Sequence, residues 1–301
     1  MKKLTSILLV IIVLGLITGC GGKDNNASTV NKAKTPEKAN VQTALNQLLS
    51  RDATEKEIIQ FADQHIKTLK QKDANRLVLK LEETQKKDLD SQSRAFESTE
   101  IQETLIENQQ QVFSDSSQFN TANASVNALW KDTQERGYKV ICTEGMFYPI
   151  IDYAAYKPYK PYVTKDIKAY IDIMTNESEE ATAEDNGIAI SWDQLASRAL
   201  QSESFVNLYP QSARFQAVND LYNDYVSFYL YGANNSPAFD YQTQTLNQEL
   251  LESYKNLIKD SPNSQLAQII LQYLPVLEKS NYLRTPEVDQ FIKDALASLK
   301  P

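Results

Sequence analysis

The chain has 301 residues, of which 42% are hydrophobic and 23% charged, and its formal net charge is −8. That apolar share is ordinary for a globular protein, and the length suits one large domain or two modest ones. One histidine and two cysteines exclude most zinc sites, the Ser-His-Asp triad and a disulfide framework, so neither metal nor cofactor is expected.

Lys2-Lys3 precede an apolar run from Leu4, and Ile17-Thr18-Gly19-Cys20 closes it. Cations, a short apolar stretch and small residues make residues 1–19 a secretory signal peptide. Leu4 to Ile17 is fourteen residues, whereas a membrane-spanning helix needs about twenty. The tetrapeptide before and including Cys20 resembles the lipobox of bacterial lipoproteins. That resemblance implies lipidation of Cys20 with a diacylglyceryl anchor bearing palmitate-type chains, cleavage before it, and display on the extracytoplasmic face of the cell membrane. Two acyl chains are enough for stable anchoring.

Residues 20–40 are small and polar, a composition too poor in apolar surface to order itself, and they read as a flexible tether. Residues 41–115 read as a polar helical region. Asp52 with Glu55 suggests a helix start, followed by Ile58, Ala62, Ile66 and Leu69 at helical spacing. A second helix is expected after Asp73 through Leu77 and Leu81, and a third over 94–112 with Phe96, Ile101, Leu105 and Ile106 on one side. Ser114 to Ser125 reads as a loop and as the boundary with a second domain, 125–301.

The two halves differ in charge and in aromatic content. Residues 1–137 carry 18 basic and 18 acidic residues, and 138–301 carry 13 and 21. The acidic half excludes nucleic acid as a partner. All sixteen tyrosines fall within it, from Tyr138 to Tyr282. After Gly137, Tyr138–Cys142 and Met146–Asp152 around Glu144-Gly145 read as a short β-hairpin with Pro149 on an edge. Tyr153, Tyr156, Tyr159 and Tyr162 follow at a strict spacing of three.

Six helices are expected beyond them. Their marks are Thr164, a Ser191/Gln194 capping box, an apolar face from Phe215 that stops at Gly232, Thr245 with Gln248, Ser261-Pro262, and Thr285-Pro286. The fold class is therefore mainly α, a helical ectodomain with one hairpin-like segment near 138–152.

Candidate chemistry is sparse. His65 and Cys142 form the only available imidazole–thiol pair and sit in unrelated contexts, a lysine-rich helix and a strand. The acidic stretch 177–187 fails as an EF-hand loop, because Thr182 would stand at its first ligand position and Asp193 at its twelfth. Glu144 and Asp152 are the candidate carboxylate pair of a cell-wall-directed glycan hydrolase, which needs a separation of about 5–10 Å.

A polyproline-type segment, with three residues per turn, would line the four tyrosines along one edge as a candidate binding strip. The competing expectation, which we favour, packs these rings onto the helices at 165–173 and 211–231. The functional expectation is a membrane-anchored, non-enzymatic binding or structural ectodomain at the cell envelope. Its partners would be the membrane through Cys20 and an envelope protein or cell-wall component. Glycan hydrolysis by Glu144 and Asp152 is the alternative.

Overall fold

The computed structural model describes residues 36–114 and 119–299. The expected signal peptide, Cys20 and most of the expected tether lie outside the described residues. The first helix, α1 (Pro36–Ser50), begins inside the stretch read as tether, which therefore ends before residue 36 rather than at 40.

Helix α2 (Glu55–His65) is capped by Thr54, whose hydroxyl accepts from Glu57 N–H while the Glu57 side chain accepts from Thr54 N–H. The box thus sits two residues beyond the expected Asp52/Glu55 pair. Glu55 is fully buried and bonds to Arg136 at 2.8 Å, and Asp52 meets Lys87 on the surface. A carboxylate drawn into the core cannot also close a capping box.

Helix α3 (Gln71–Phe96) buries Leu77 and Leu81 one turn apart, as a helix must. The single helix expected over 94–112 is instead three pieces: the end of α3, then α4 (Thr99–Glu107) and α5 (Gln109–Ser114). Gln102 explains the first break. Its buried amide donates to Phe96 O at 2.8 Å and Phe147 O at 2.7 Å and accepts from Phe147 N. Ile106, expected inside, is exposed.

After α6 (Ala124–Glu135), strands β1 (Tyr138–Thr143) and β2 (Met146–Ile151) pair antiparallel, Tyr138 facing Ile151 and Thr143 facing Met146. Glu144 and Gly145 both have positive φ, +52° and +77°, the geometry of a type I′ hairpin. A 3₁₀ helix, Tyr153–Tyr162, leads to α7 (Lys165–Glu179).

The remaining helices are α8 (Trp192–Leu208), α9 (Phe215–Tyr231), α10 (Gln248–Asp260), α11 (Gln265–Lys279) and α12 (Pro286–Ser298), so all six expected helices of this half are present. Two miniature hairpins interrupt them: β3 (Ala183–Glu184) with β4 (Gly187–Ile188), and β5 (Gly232–Ala233) with β6 (Ser236–Pro237). Gly232 is required where α9 ends: its φ is +76°, and a Cβ there would lie 2.3 Å from Ala238 N. The Ser191/Gln194 box and the Thr285-Pro286 start hold as expected. Asn247, not Thr245, caps α10, and Ser264, not Ser261, caps α11.

The mainly α architecture buries three apolar clusters. The first joins Leu45, Ile58, Leu77 and Leu81 to Tyr138, Tyr156, Ile167, Ile171 and Val218. The second lies wholly within 190–299, around Tyr225, Tyr229, Tyr254 and Tyr273. A small third cluster holds Phe96, Leu105, Trp130 and Phe147. The polar helices of the first half thus share a core with 138–218, and packing crosses the boundary expected near 114–125.

Candidate functional site

The tyrosine row is real, but it faces inward. The segment is a 3₁₀ helix rather than polyproline, and three residues per turn still places Tyr153, Tyr156 and Tyr159 in line. They are 6%, 2% and 5% exposed, and Tyr162 at the row's end is half-buried. Tyr153 and Tyr156 stack with centroids 5.4 Å apart, and Tyr156 meets Tyr159 edge to face at 6.3 Å. They pack on α7 and α3, whereas α9 reaches this core through Val218. A row buried in this way has no face left for a ligand.

Their hydroxyls bond to polar side chains of α2 and α3, of which Glu82 and Gln85 are buried and Asp63 is on the surface. Tyr153 donates to Glu82 at 2.6 Å, Tyr159 to Asp63 at 2.8 Å, Tyr156 to Gln85 and Tyr170 to Glu82. Glu82 also pairs with Lys86 and Arg214, each at 2.7 Å. Burial alone would raise the Glu82 carboxyl. The bonds from Lys86, Tyr153 and Tyr170 and the Arg214 charge outweigh it and hold the pKa below the usual carboxylate value. Burial, with the neighbouring carboxylates, pushes the phenols of Tyr153, Tyr159 and Tyr170 far up, so they stay neutral donors.

The pattern repeats elsewhere. Glu55 accepts from Tyr138 and Arg136, and Glu177 from Tyr225 and Arg198. Glu203 accepts from Tyr222 and from the N–H groups of Gln265 and Leu266 at the start of α11. These are load-sharing contacts between distant helices, with every charge answered internally.

The other expected chemistry is dispersed. Glu144 lies at the turn of the β1–β2 hairpin and Asp152 beyond its open end, where Asp152 caps the 3₁₀ helix through Ala154 N. Eight residues of extended chain span about 25 Å, well outside the reach of a glycosidase pair. His65 packs its ring at a tilt against Phe61 at the end of α2, and Cys142 lies on β1 against the third cluster. The acidic stretch 177–187 is divided between the Glu177 network and a tight turn, where Asp185 and Asn186 have φ of +50° and +56°. No group of three metal-ligating side chains occurs among the described residues.

A cleft of about 560 Å³ opens at the end of the second half where the α7–α8 and α9–α10 connections meet. Its volume is in the range of small-ligand sites, about 300–1,000 Å³. The two miniature hairpins build one wall by locking together: Asn235 N donates to Asn186 O at 2.9 Å, and Ile188 N to Ser236 Oγ at 3.2 Å. Ile188, Ile190, Trp192, Pro237 and Leu246 supply apolar surface. A second depression of 370 Å³, bordered by the α8 and α10 first turns, shares Ser191, Trp192 and Glu249 with it, so the two form one elongated groove.

The polar lining includes four carboxylates, Asp193, Asp240, Glu249 and Glu252, beside neutral side chains such as Asn235 and Asn247, with no lysine or arginine. The Asp240 turn is fixed by bonds from Gln242 N, Thr243 N and the Thr243 hydroxyl to Oδ1, which hold its carboxyl below the usual range. Tyr241 beside it is 61% exposed, yet its hydroxyl is tied to Asn234 O at 2.9 Å. The groove is made by connections, which carry sites on rigid scaffolds. In the sequence, Trp192 and Gln248 register only as helix starts, and nothing there shows that residues 188–192 and 235–249 meet.

No protein-family model, curated protein or solved structure matches the chain. The geometry of the groove is therefore the ground for reading it.

Proposed function

We propose that this chain is a lipid-anchored ectodomain on the extracytoplasmic face of the cell membrane, and that it acts by binding rather than by turnover. The anchor rests on the Ile17-Thr18-Gly19-Cys20 motif after its signal peptide. The binding role rests on one observation, the groove between the interlocked hairpins and the first turns of α8 and α10. Dispersal of Glu144 and Asp152 favours binding over the hydrolase alternative. The partner class expected at this location is an envelope protein or a cell-wall component.

Footprinting tests the site. In a Cys142→Ser background, Thr245→Cys should react readily with a maleimide, and solubilised cell-envelope material should shield it. Equal labelling with and without that material would overturn the groove as the binding face. Release of new reducing ends from cell-wall glycan by the intact protein would overturn binding without turnover.

A further inference from the structure

We infer that the groove binds an extended basic peptide segment of a partner protein, an inference that rests on reading the groove as the binding face. Lysine or arginine side chains of the segment meet the carboxylates of the lining, and a backbone carbonyl between them accepts from the Trp192 N–H.

Trp192 supplies the fixed point. It is 9% exposed and lines both depressions where they join. Its indole N–H makes no hydrogen bond among the described residues, and it is not one of the enclosed polar atoms left without a partner, such as Ser202 Oγ or Tyr273 OH. The N–H therefore reaches solvent, and the open side of this side chain is the groove. An indole nitrogen can only donate, so the groove calls for an acceptor at this point. The ring is already held in the core of the second half, just after the Ser191 cap, so little freedom is lost when it donates.

Carboxylates stand on either side of that donor. Asp240 lines the larger depression, Asp193 and Glu252 the smaller, and Glu249 borders both. Three local features oppose a cation without cancelling this charge. The first turns of α8 and α10, which hold Asp193 and Glu249, each bring about half a positive charge. Lys255 pairs with Glu252 at 2.7 Å. Four carboxylates outweigh these, and the backbone bonds to Asp240 keep it ionised. Ile188, Ile190, Pro237 and Leu246 add apolar surface, which suits the methylene stem of a lysine or arginine whose charged end lies at a carboxylate. A polyamine brings cations but no acceptor for Trp192, and an acidic chain meets only like charge.

Calorimetry on the full-length protein in non-ionic detergent, titrated with a capped peptide of alternating lysine and alanine, its glutamate counterpart and spermidine, tests this. The lysine peptide should bind, and it should shield Thr245→Cys from maleimide in the Cys142→Ser background. Its affinity should fall by about tenfold or more between about 50 and about 500 mM NaCl, and the glutamate peptide should not bind. Glu249→Gln removes one charge from an exposed residue and should weaken the lysine peptide by about threefold or more. Trp192→Phe should weaken that peptide by about threefold or more and spermidine by less than about twofold, because spermidine offers the N–H no acceptor. Thermal unfolding checks that both variants fold, and Glu249→Gln keeps the test open if Trp192→Phe does not.

Spermidine binding as tightly as the lysine peptide, with Trp192→Phe weakening neither, would overturn the peptide assignment. Lysine-peptide binding that leaves Thr245→Cys fully reactive, or that Glu249→Gln does not weaken, would place the peptide elsewhere on this acidic protein and overturn the inference equally. No binding of the lysine peptide, with Thr245→Cys still shielded by envelope material, would overturn the ligand class only. Silence in both experiments would overturn the ligand class and the groove together.

Discussion

The surroundings of Glu82 and the rim of the groove use similar side chains to opposite ends. Around Glu82, two tyrosines, a lysine and an arginine converge on one carboxylate, and all are satisfied internally. At the groove Glu249 and Asp240 are exposed, as is Tyr241 beside Asp240, and among the described residues the Glu249 carboxylate and Asp240 Oδ2 have no hydrogen-bond partner. A buried polar group must be answered because leaving it unpaired costs free energy, whereas an exposed one is answered by water until a ligand displaces it. Conspicuous tyrosines therefore mark the framework here, and the less conspicuous connection residues mark the face that we propose for recognition.

The comparison is broken most forcefully at its buried end. Glu82→Gln leaves Arg214 half-buried without its main partner and should destabilise the protein by about 3–5 kcal/mol in urea unfolding. A loss below about 1 kcal/mol would mean that the network is not a strut. The same carboxylate sets a pH dependence. Its folded pKa is lowered, so its contribution is present above the unfolded value of about 4.3 and is lost as pH falls through the folded value. Unfolding free energy measured across pH 3–6 should drop on the acid side, and Glu82→Gln should flatten that drop.

Smaller effects sharpen the contrast. Tyr159→Phe removes a hydroxyl whose partner, Asp63, is on the surface and can turn to water, so about 0.5–1.5 kcal/mol is expected from thermal unfolding. Glu249→Gln should change stability by no more than about 0.5 kcal/mol, because no intramolecular bond is lost. A large cost at Glu249 would place it in the framework instead. Separately from stability, Cys20→Ala should move the mature protein from the membrane to the soluble fraction, as seen by fractionation and immunoblotting. Retention of a correctly processed variant would contradict the anchor.

Local signals were legible in the sequence where the deciding interactions are local. Ser191 with Gln194, Gly232 and Thr285-Pro286 each act within a turn of the chain, and each ends or starts a helix as expected. Where two neighbouring residues can both cap, distant contacts chose. Glu55 was taken by Arg136, and Thr245 by a bridge to Leu283, which left the caps to Thr54 and Asn247.

The three-residue period of the tyrosines was visible, but 3₁₀ and polyproline helices share that period. Only the packing on α3 and α7 shows which way the rings face. The groove was not legible, because Ile188, Trp192, Asn235 and Glu249 come from connections that meet only once the helices are assembled.

The most direct test compares one residue type in the two regions. Tyr156→Ala and Tyr241→Ala should be unfolded side by side in urea, with folding checked by circular dichroism. Tyr156 is 2% exposed and bonded to Gln85, so its loss should cost about 3–5 kcal/mol. Tyr241 is 61% exposed with one bond to a surface carbonyl, so its loss should cost less than about 1 kcal/mol. Two losses of equal size, or a near-neutral Tyr156→Ala, would contradict the division of the molecule into a tyrosine-braced framework and an open groove.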